Sequence, residues 1–221
     1  MTLKKINETK FNATSAKIAL PFLLSTIILL VASLFNLANA ANTTSQQIQS
    51  NQKGKINNPT IVVETSLGNI KVALNSDKAP KTVANFLKYV ESGFYSQTIF
   101  HRVIAGFMVQ GGGFDAKLNQ KPTHATIEIE SKNDLNNDKG TIAMARTSQP
   151  NSASSQFFIN VVDNAFLNYQ SDNQPGYTVF GKVIDGMDVV EKIEAVKTSI
   201  QNGMNDVPTH SVMINKVSIV D

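Results

Sequence analysis

From Thr60 to the end of the chain, apolar positions recur with one of two periods, two or about 3.6, and these periods predict the elements. Residues 60–65 (TIVVET) and 69–74 (NIKVAL) alternate as strands do and flank Ser66-Leu67-Gly68, the layout of a β-hairpin. Pro80 suits the first turn of a helix. Behind it Val83, Phe86, Leu87 and Val90 fall at i, i+3, i+4 and i+7, one apolar stripe that closes at Gly93. Further strand-like runs cover 99–104, 107–110, 141–145, 156–161, 177–184 and 212–220, and Val189, Ile193 and Val196 place a second helix over about 187–196. Eight strands with only two helices do not alternate as a parallel βαβ sheet would, which leaves an antiparallel barrel or sandwich. Eight strands closed on themselves fill their interior with side chains. A ligand site would then sit on the outer wall or rim, where the irregular connections at about 111–125, 146–155 and 162–176 could build it.

Upstream of residue 59 the pattern is different. An uncharged run rich in Leu and Ile covers 18–35, behind Lys4, Lys5, Lys10 and Lys17 and ahead of Ala38-Asn39-Ala40-Ala41. A basic start, an apolar middle and a small-residue end make a secretory signal peptide over 1–40, cleaved after Ala40. The alternative is an uncleaved membrane anchor, since the run approaches the ~20 residues that span a bilayer. Pro21, Ser25, Thr26 and the A-x-A ending favour cleavage, which leaves no stable span in the mature chain. Residues 41–58, rich in Asn, Gln, Ser and Thr without periodicity, read as a flexible polar tether, and 59–221 as one domain. Export into an oxidising compartment, the periplasm, is the expected destination.

Charge narrows the function classes. The formal surplus of +3 lies wholly in residues 1–40, where the four lysines oppose Glu8; the rest of the chain balances its basic and acidic side chains. A neutral body lacks the electrostatic footprint of nucleic-acid binding. At 221 residues, 42% apolar, there is room for one sizeable core. With no Cys, thiol nucleophiles, disulfides and Cys-ligated metals are excluded. The chain lacks G-x-S-x-G, H-E-x-x-H and GxxxxGK[ST], so serine esterase, zincin and P-loop readings have no local geometry to stand on. Gly111-Gly112-Gly113 reads as a turn with positive φ or as a close backbone approach. His101, His124 and His210 are far apart in sequence and read as surface or hydrogen-bonded histidines rather than metal ligands. Glu128 and Glu130, two apart on a strand-like run, read as a solvated strand face. Arginine is more informative: among 18 Lys there are two Arg, Arg102 and Arg146, both in the apolar middle of the domain. A guanidinium among so many lysines points to a need for a planar, permanently charged donor.

Around these two residues the chain reads FHRVIAGFMVQGGG (100–113) and GTIAMARTSQPNSASSQFFINV (140–161), followed by NAFL (164–167) and GYTVFGKV (176–183). This set, over essentially the whole domain, closely resembles the cyclophilin-type peptidyl-prolyl isomerases, specifically the exported bacterial kind. The resemblance implies a mainly β fold, a closed eight-stranded antiparallel barrel capped by two helices. It also implies Arg102 as the catalytic arginine, with Gln110 as the polar contact beside it, and a proline pocket of Phe107, Met108, Phe158 and Leu167. Ala145 and the backbone of Arg146 would line the peptide groove. Phe166 stands where many eukaryotic relatives have Trp, and Tyr177 where they have His. The missing indole N–H implies weak cyclosporin binding. Ala105 replaces a common Pro, a change expected to affect local rigidity rather than chemistry.

The implied reaction suits the composition. Rotation about an Xaa-Pro bond must break amide resonance, a barrier of about 18–20 kcal/mol, but makes and cleaves no bond, so neither a cofactor nor a metal is called for. Its partners would be proline-containing peptides and unfolded exported proteins. The chain has no heptad repeat and is expected to be a monomer. Two other classes compete. A proline-peptide binding module or holdase would use the same groove without depending on Arg102. A hydrolase would need a serine from the 152–155 cluster to meet a histidine.

Overall fold

A computed structural model describes residues 58–220; the expected signal peptide and nearly all of the expected tether lie outside the described residues. The strands are β1 (Thr60–Thr65), β2 (Gly68–Leu74), β3 (Thr98–Ile104), β4 (Met108–Asp115), β5 (Thr141–Met144), β6 (Phe157–Asn160), β7 (Val179–Asp185), β8 (Thr198–Gln201), β9 (Met204–Pro208) and β10 (Val212–Val220). The helices are α1 (Pro80–Glu91) and α2 (Met187–Glu194), and Ala165–Leu167 make one 3₁₀ turn. Eight of the strands close a barrel in the order β1-β10-β3-β4-β6-β5-β7-β2, with antiparallel neighbours throughout. The fold is therefore mainly β, as the alternation and the resemblance both implied.

Alternation decides what the barrel encloses. Ile61 and Val63, Ile70 and Val72, Val109, Ile142, Phe157 and Ile159 belong to one buried cluster that fills the interior. The α1 stripe joins it: Phe86 is fully buried, edge-on to Phe157 at 5.7 Å and 5.2 Å from Phe180 between ring centroids. α2 contributes Val189, Val190 and Ile193.

Two features differ from expectation, the cap of α1 and an extra hairpin, and the glycine run resolves to the second of its two readings. Ala79 gives α1 no side-chain cap. Glu130 supplies it from 48 residues away: Oε2 accepts from the Thr82 N–H and hydroxyl at 2.8 Å, and Oε1 from the Lys81 N–H at 3.0 Å. Glu130 is thus a helix cap rather than a solvated strand face, and Glu128 pairs with Lys81 beside it. The Gly111–Gly113 run does not turn; it continues β4 as far as Asp115. What demands glycine there is close approach. A Cβ at Gly112, whose φ is +80°, would lie 2.9 Å from ring atoms of Phe157 and Tyr95, and one at Gly113 2.5 Å from Gln156 Cγ. Finally, β8 and β9 form a hairpin outside the barrel that the alternation does not announce, joined through Asn202-Gly203 at φ +48° and +77°.

Candidate active site

One row of residues crosses five strands on the outer wall. Arg102 on β3 pairs with Gln110 on β4, Gln110 with Phe158 on β6, Phe158 with Ala143 on β5, and Ala143 with Val179 on β7. Directly paired positions project to the same face of a sheet, so arginine, amide and phenyl ring stand side by side. Phe158, Ala143 and Val179, with Met108 and Leu167, make a second apolar cluster apart from the one inside the barrel. The Phe157-Phe158 pair splits between them: Phe157 points inward and Phe158 outward.

Arg102 owes its place in this row to a break in register. Phe100 pairs with Gly111 and Arg102 with Gln110, so His101 is an extra residue on β3. Without that bulge, residues two apart would share a face, and Arg102 would follow Phe100 into the core. The bulged His101 is 5% exposed, packs on Phe114 at 4.6 Å between ring centroids, and leaves its Nδ1 without a hydrogen-bond partner. Of the three histidines only this one is buried; His124 and His210 are exposed.

The row lines a cleft of about 260 Å³ bounded by Arg102, Phe107, Met108, Gln110, Ala145, Arg146, Phe158, Leu167 and Tyr177. Nine of the ten residues singled out in the sequence therefore meet in one place. The tenth, Phe166, does not line it: the ring is 65% exposed and stacks on Phe107 at 5.6 Å and 24°. The cleft lies below the roughly 300–1,000 Å³ of drug-sized sites, the scale of one ring and its peptide rather than of a cofactor.

Its walls differ in how firmly they are held. Gln110 Nε2 donates to Gln156 Oε1 at 2.9 Å. Arg146 is anchored: Nε donates to the Gly176 carbonyl at 2.9 Å and Nη1 to that of Thr147 at 2.8 Å, and the guanidinium lies 4.6 Å from the Tyr177 ring centroid. Tyr177 meets Phe158 edge-on. The Arg102 side chain has no hydrogen bond among the described residues, and its Nε lies 3.6 Å from Asp206 Oδ2. Behind the apolar wall is a buried amide network. Asn164 Nδ2 donates to Asn160 Oδ1 at 2.7 Å and to the Phe107 carbonyl at 2.9 Å, Asn160 Nδ2 to Thr141 Oγ1 at 2.9 Å, and Asn137 Nδ2 to the Leu167 carbonyl at 3.1 Å. Ser152 and Ser155 donate to the carbonyls of Gln149 and Gly112, not to a histidine.

Sequence reasoning did not single out Gln156, Asp206 or the asparagines. Gln156, Asn160 and Asn164 lie within the quoted motifs, and Asp206 follows the Asn202-Gly203 turn that brings its hairpin back, but none of these signals assigned them a role.

Two predictions arise here. In Gly113→Ala the new methyl must displace the Gln156 side chain and with it the Gln110 bond. Losing one hydrogen bond of about 1 kcal/mol should lower the unfolding free energy by at least that much, read by denaturant unfolding of the variant against the wild type. The second concerns His101. Burial, assisted by the neighbouring Arg102 charge, depresses its pKa from 6.5 to about 4, against weaker opposing contacts to Ile99 and Gln156. Between those values the unfolded chain binds the proton and the folded chain does not, so stability present above pH 6.5 is lost as pH falls toward 4. The full loss is on the order of 3 kcal/mol. Denaturant unfolding across this range should show a shallower pH slope in His101→Gln than in the wild type.

Comparison with known proteins gives the family and the fold. Residues 60–219 match the family model described as cyclophilin type peptidyl-prolyl cis-trans isomerase/CLD. The peptidyl-prolyl cis-trans isomerase cyp18 of Streptomyces antibioticus is 54% identical over 163 residues, 73% of this chain and 98% of that protein. Peptidyl-prolyl cis-trans isomerase B of Escherichia coli strain K12 is 51% identical over 161 residues, 72% of this chain and 98% of that protein. Among solved structures, a Cryptosporidium parvum cyclophilin type isomerase crystallised in the presence of the dipeptide Ala-Pro is similar with a TM-score of 0.62 at 29% identity, covering 73% of this chain and 99% of that one. AquaCyp293 from Hirschia baltica shares the fold, with a TM-score of 0.60 at 23% identity over 73% of each chain.

Proposed function

The chain belongs to the cyclophilin-type peptidyl-prolyl cis-trans isomerases, an enzyme of that class, and from that premise we propose that the cleft beside Arg102 is where it turns Xaa-Pro bonds. The observation that carries the reading is the cross-strand row: one permanently charged donor next to a small apolar socket on the outer wall. Phe107, Met108, Phe158 and Leu167 would hold the pyrrolidine ring and exclude water, while the residue before proline rotates. Gln110, paired with Arg102 and held by Gln156, would contact the substrate carbonyl. Ala145, Arg146 and Tyr177 would flank the peptide, and Phe166 would form an exposed rim stacked on Phe107.

The chemistry follows from the amide. In the planar ground state the prolyl nitrogen shares its lone pair with the carbonyl and is a poor hydrogen-bond acceptor. At the twisted transition state the nitrogen is pyramidal and its lone pair is localised. A guanidinium N–H beside it then stabilises the transition state more than the ground state, which is what lowers a barrier. About 3–4 kcal/mol of such stabilisation corresponds to roughly 10²- to 10³-fold acceleration. The Ala-Pro dipeptide named with the Cryptosporidium relative is the class of ligand this cleft would take.

We further propose that the protein is exported and assists the folding of exported proteins. The support is the signal-like layout of residues 1–40 and the neutral body that follows. Among the described residues no helix is long and apolar enough to cross a membrane. Exchange NMR of a short Xaa-Pro peptide with the purified protein tests the activity. Faster cis/trans exchange is expected, and binding without acceleration would make the protein a proline-peptide module. An intact mass beginning at Ala41 is expected for the exported form; retention of residues 18–35 would leave a membrane anchor instead.

A further inference from the structure

Resting on the reading that Arg102 meets the prolyl nitrogen, we infer that Asp206, on the hairpin outside the barrel, is the positioning residue for Arg102. Its carboxylate holds the Nε edge of the guanidinium and leaves the Nη groups to the cleft.

A donor that acts only at the transition state must already be in place, because a small misplacement forfeits most of its effect. Arg102 has a long side chain that is 43% exposed, and no hydrogen bond fixes it among the described residues. Arg146, by contrast, is bound to two carbonyls and a ring. The acidic group within reach of Arg102 is Asp206, with Oδ2 at 3.6 Å from Nε. At that separation the contact is a charge pair, able to orient the guanidinium without engaging its Nη donors.

Asp206 is itself presented from a braced position. Its φ is +61°, a left-handed conformation that Asp and Asn tolerate better than other side chains with a Cβ. The next residue, Val207, is 2% exposed, and the Pro208 carbonyl accepts from Gln201 Nε2 at 2.9 Å. The hairpin takes no part in barrel closure, and Thr198, Ser199 and Ile200 of β8 are exposed. An element that adds so little to the core, yet carries a carboxylate in an uncommon backbone conformation to the edge of the cleft, is accounted for by what it does to Arg102.

Asp206→Asn removes the charge and keeps a residue at home in that conformation. We would measure catalysed exchange of an Xaa-Pro peptide in the full protein, the same substitution in the Arg102→Ala background at raised enzyme concentration, and the Arg102 Nε–H signal in ¹⁵N-edited spectra. Expected is a loss in kcat/KM of about three- to ten-fold, a scale set by a half-exposed pair that also orients the donor. The loss should vanish in the Arg102→Ala background, and the Nε–H signal should shift and exchange faster with water. Unchanged kcat/KM, or the same fractional loss in both backgrounds, would overturn the inference. If the wild type itself fails to accelerate exchange, the enzyme reading falls separately, and an Nε–H signal that ignores Asp206→Asn would then sink the positioning role.

Discussion

Arg102→Ala should lower kcat/KM for an Xaa-Pro peptide by about 10²- to 10³-fold, the range seen when one preorganised transition-state donor is removed, while the Kd of the same peptide stays within about three-fold. The two numbers part because the guanidinium and the apolar socket act at different stages. Phe107, Met108, Phe158 and Leu167 line the cleft and would meet the ring in both the ground and the transition state, and all four remain in the variant. The lone pair that Arg102 would engage is delocalised until the bond twists, so ground-state binding gains little from it. The fold should not intervene, since the side chain is 43% exposed and its described polar neighbour is one half-exposed carboxylate. Exchange NMR gives the catalysed rate, and chemical-shift titration on the same samples gives Kd. A Kd weakened by the same factor as kcat/KM would mean that Arg102 binds the substrate rather than its transition state.

How far this site could be read in the sequence depends on which physical signal carried each part. Strands that wall one core alternate, so 60–65, 69–74 and 212–220 were plain; their number left a barrel or a sandwich, and the resemblance implied the closed barrel that the pairing shows. Alternation fails where two apolar residues are adjacent. Phe157 and Phe158 are equally apolar, and only pairing assigns one to the interior and the other to the cleft; the resemblance, not the spacing, identified Phe158. It fails again at a bulge. Counting by two from Phe100 puts Arg102 inside the barrel, and nothing in FHRVI marks His101 as the extra residue. Polar segments hide the remainder. TSIQ of β8 has no apolar period, although Asn-Gly after it is a strong hairpin signal, and Glu130 capped a helix 48 residues away, a partnership no local pattern encodes. The asparagines behind the cleft carried no signal of their own, because burial of amides depends on partners brought together only by the fold.

Those asparagines carry the second large effect. Asn160→Ala should cost about 3 kcal/mol of stability, because it strands several buried polar groups at about 1–3 kcal/mol each with partial relief by rearrangement. Asn160 is fully buried; its Nδ2 donates to Thr141 Oγ1 at 2.9 Å and Asn137 Oδ1 at 3.3 Å, and its Oδ1 accepts from Asn164 Nδ2 at 2.7 Å. Asn137 and Asn164 in turn hold the carbonyls of Leu167 and Phe107, two walls of the cleft. Loss of the central amide therefore loosens the 3₁₀ turn that carries Leu167 as well as the strand ends beneath it. Phe86→Ala, deep in the barrel, should cost a comparable roughly 3–5 kcal/mol from its cavity, yet Phe86 belongs to the interior cluster and not to the one behind the cleft. Below the melting range of both variants, Asn160→Ala should raise KM for an Xaa-Pro peptide, while Phe86→Ala should leave it near the wild-type value. Denaturant unfolding paired with exchange NMR on both variants separates the cases: equal KM values would mean the network stabilises the fold without shaping the proline socket.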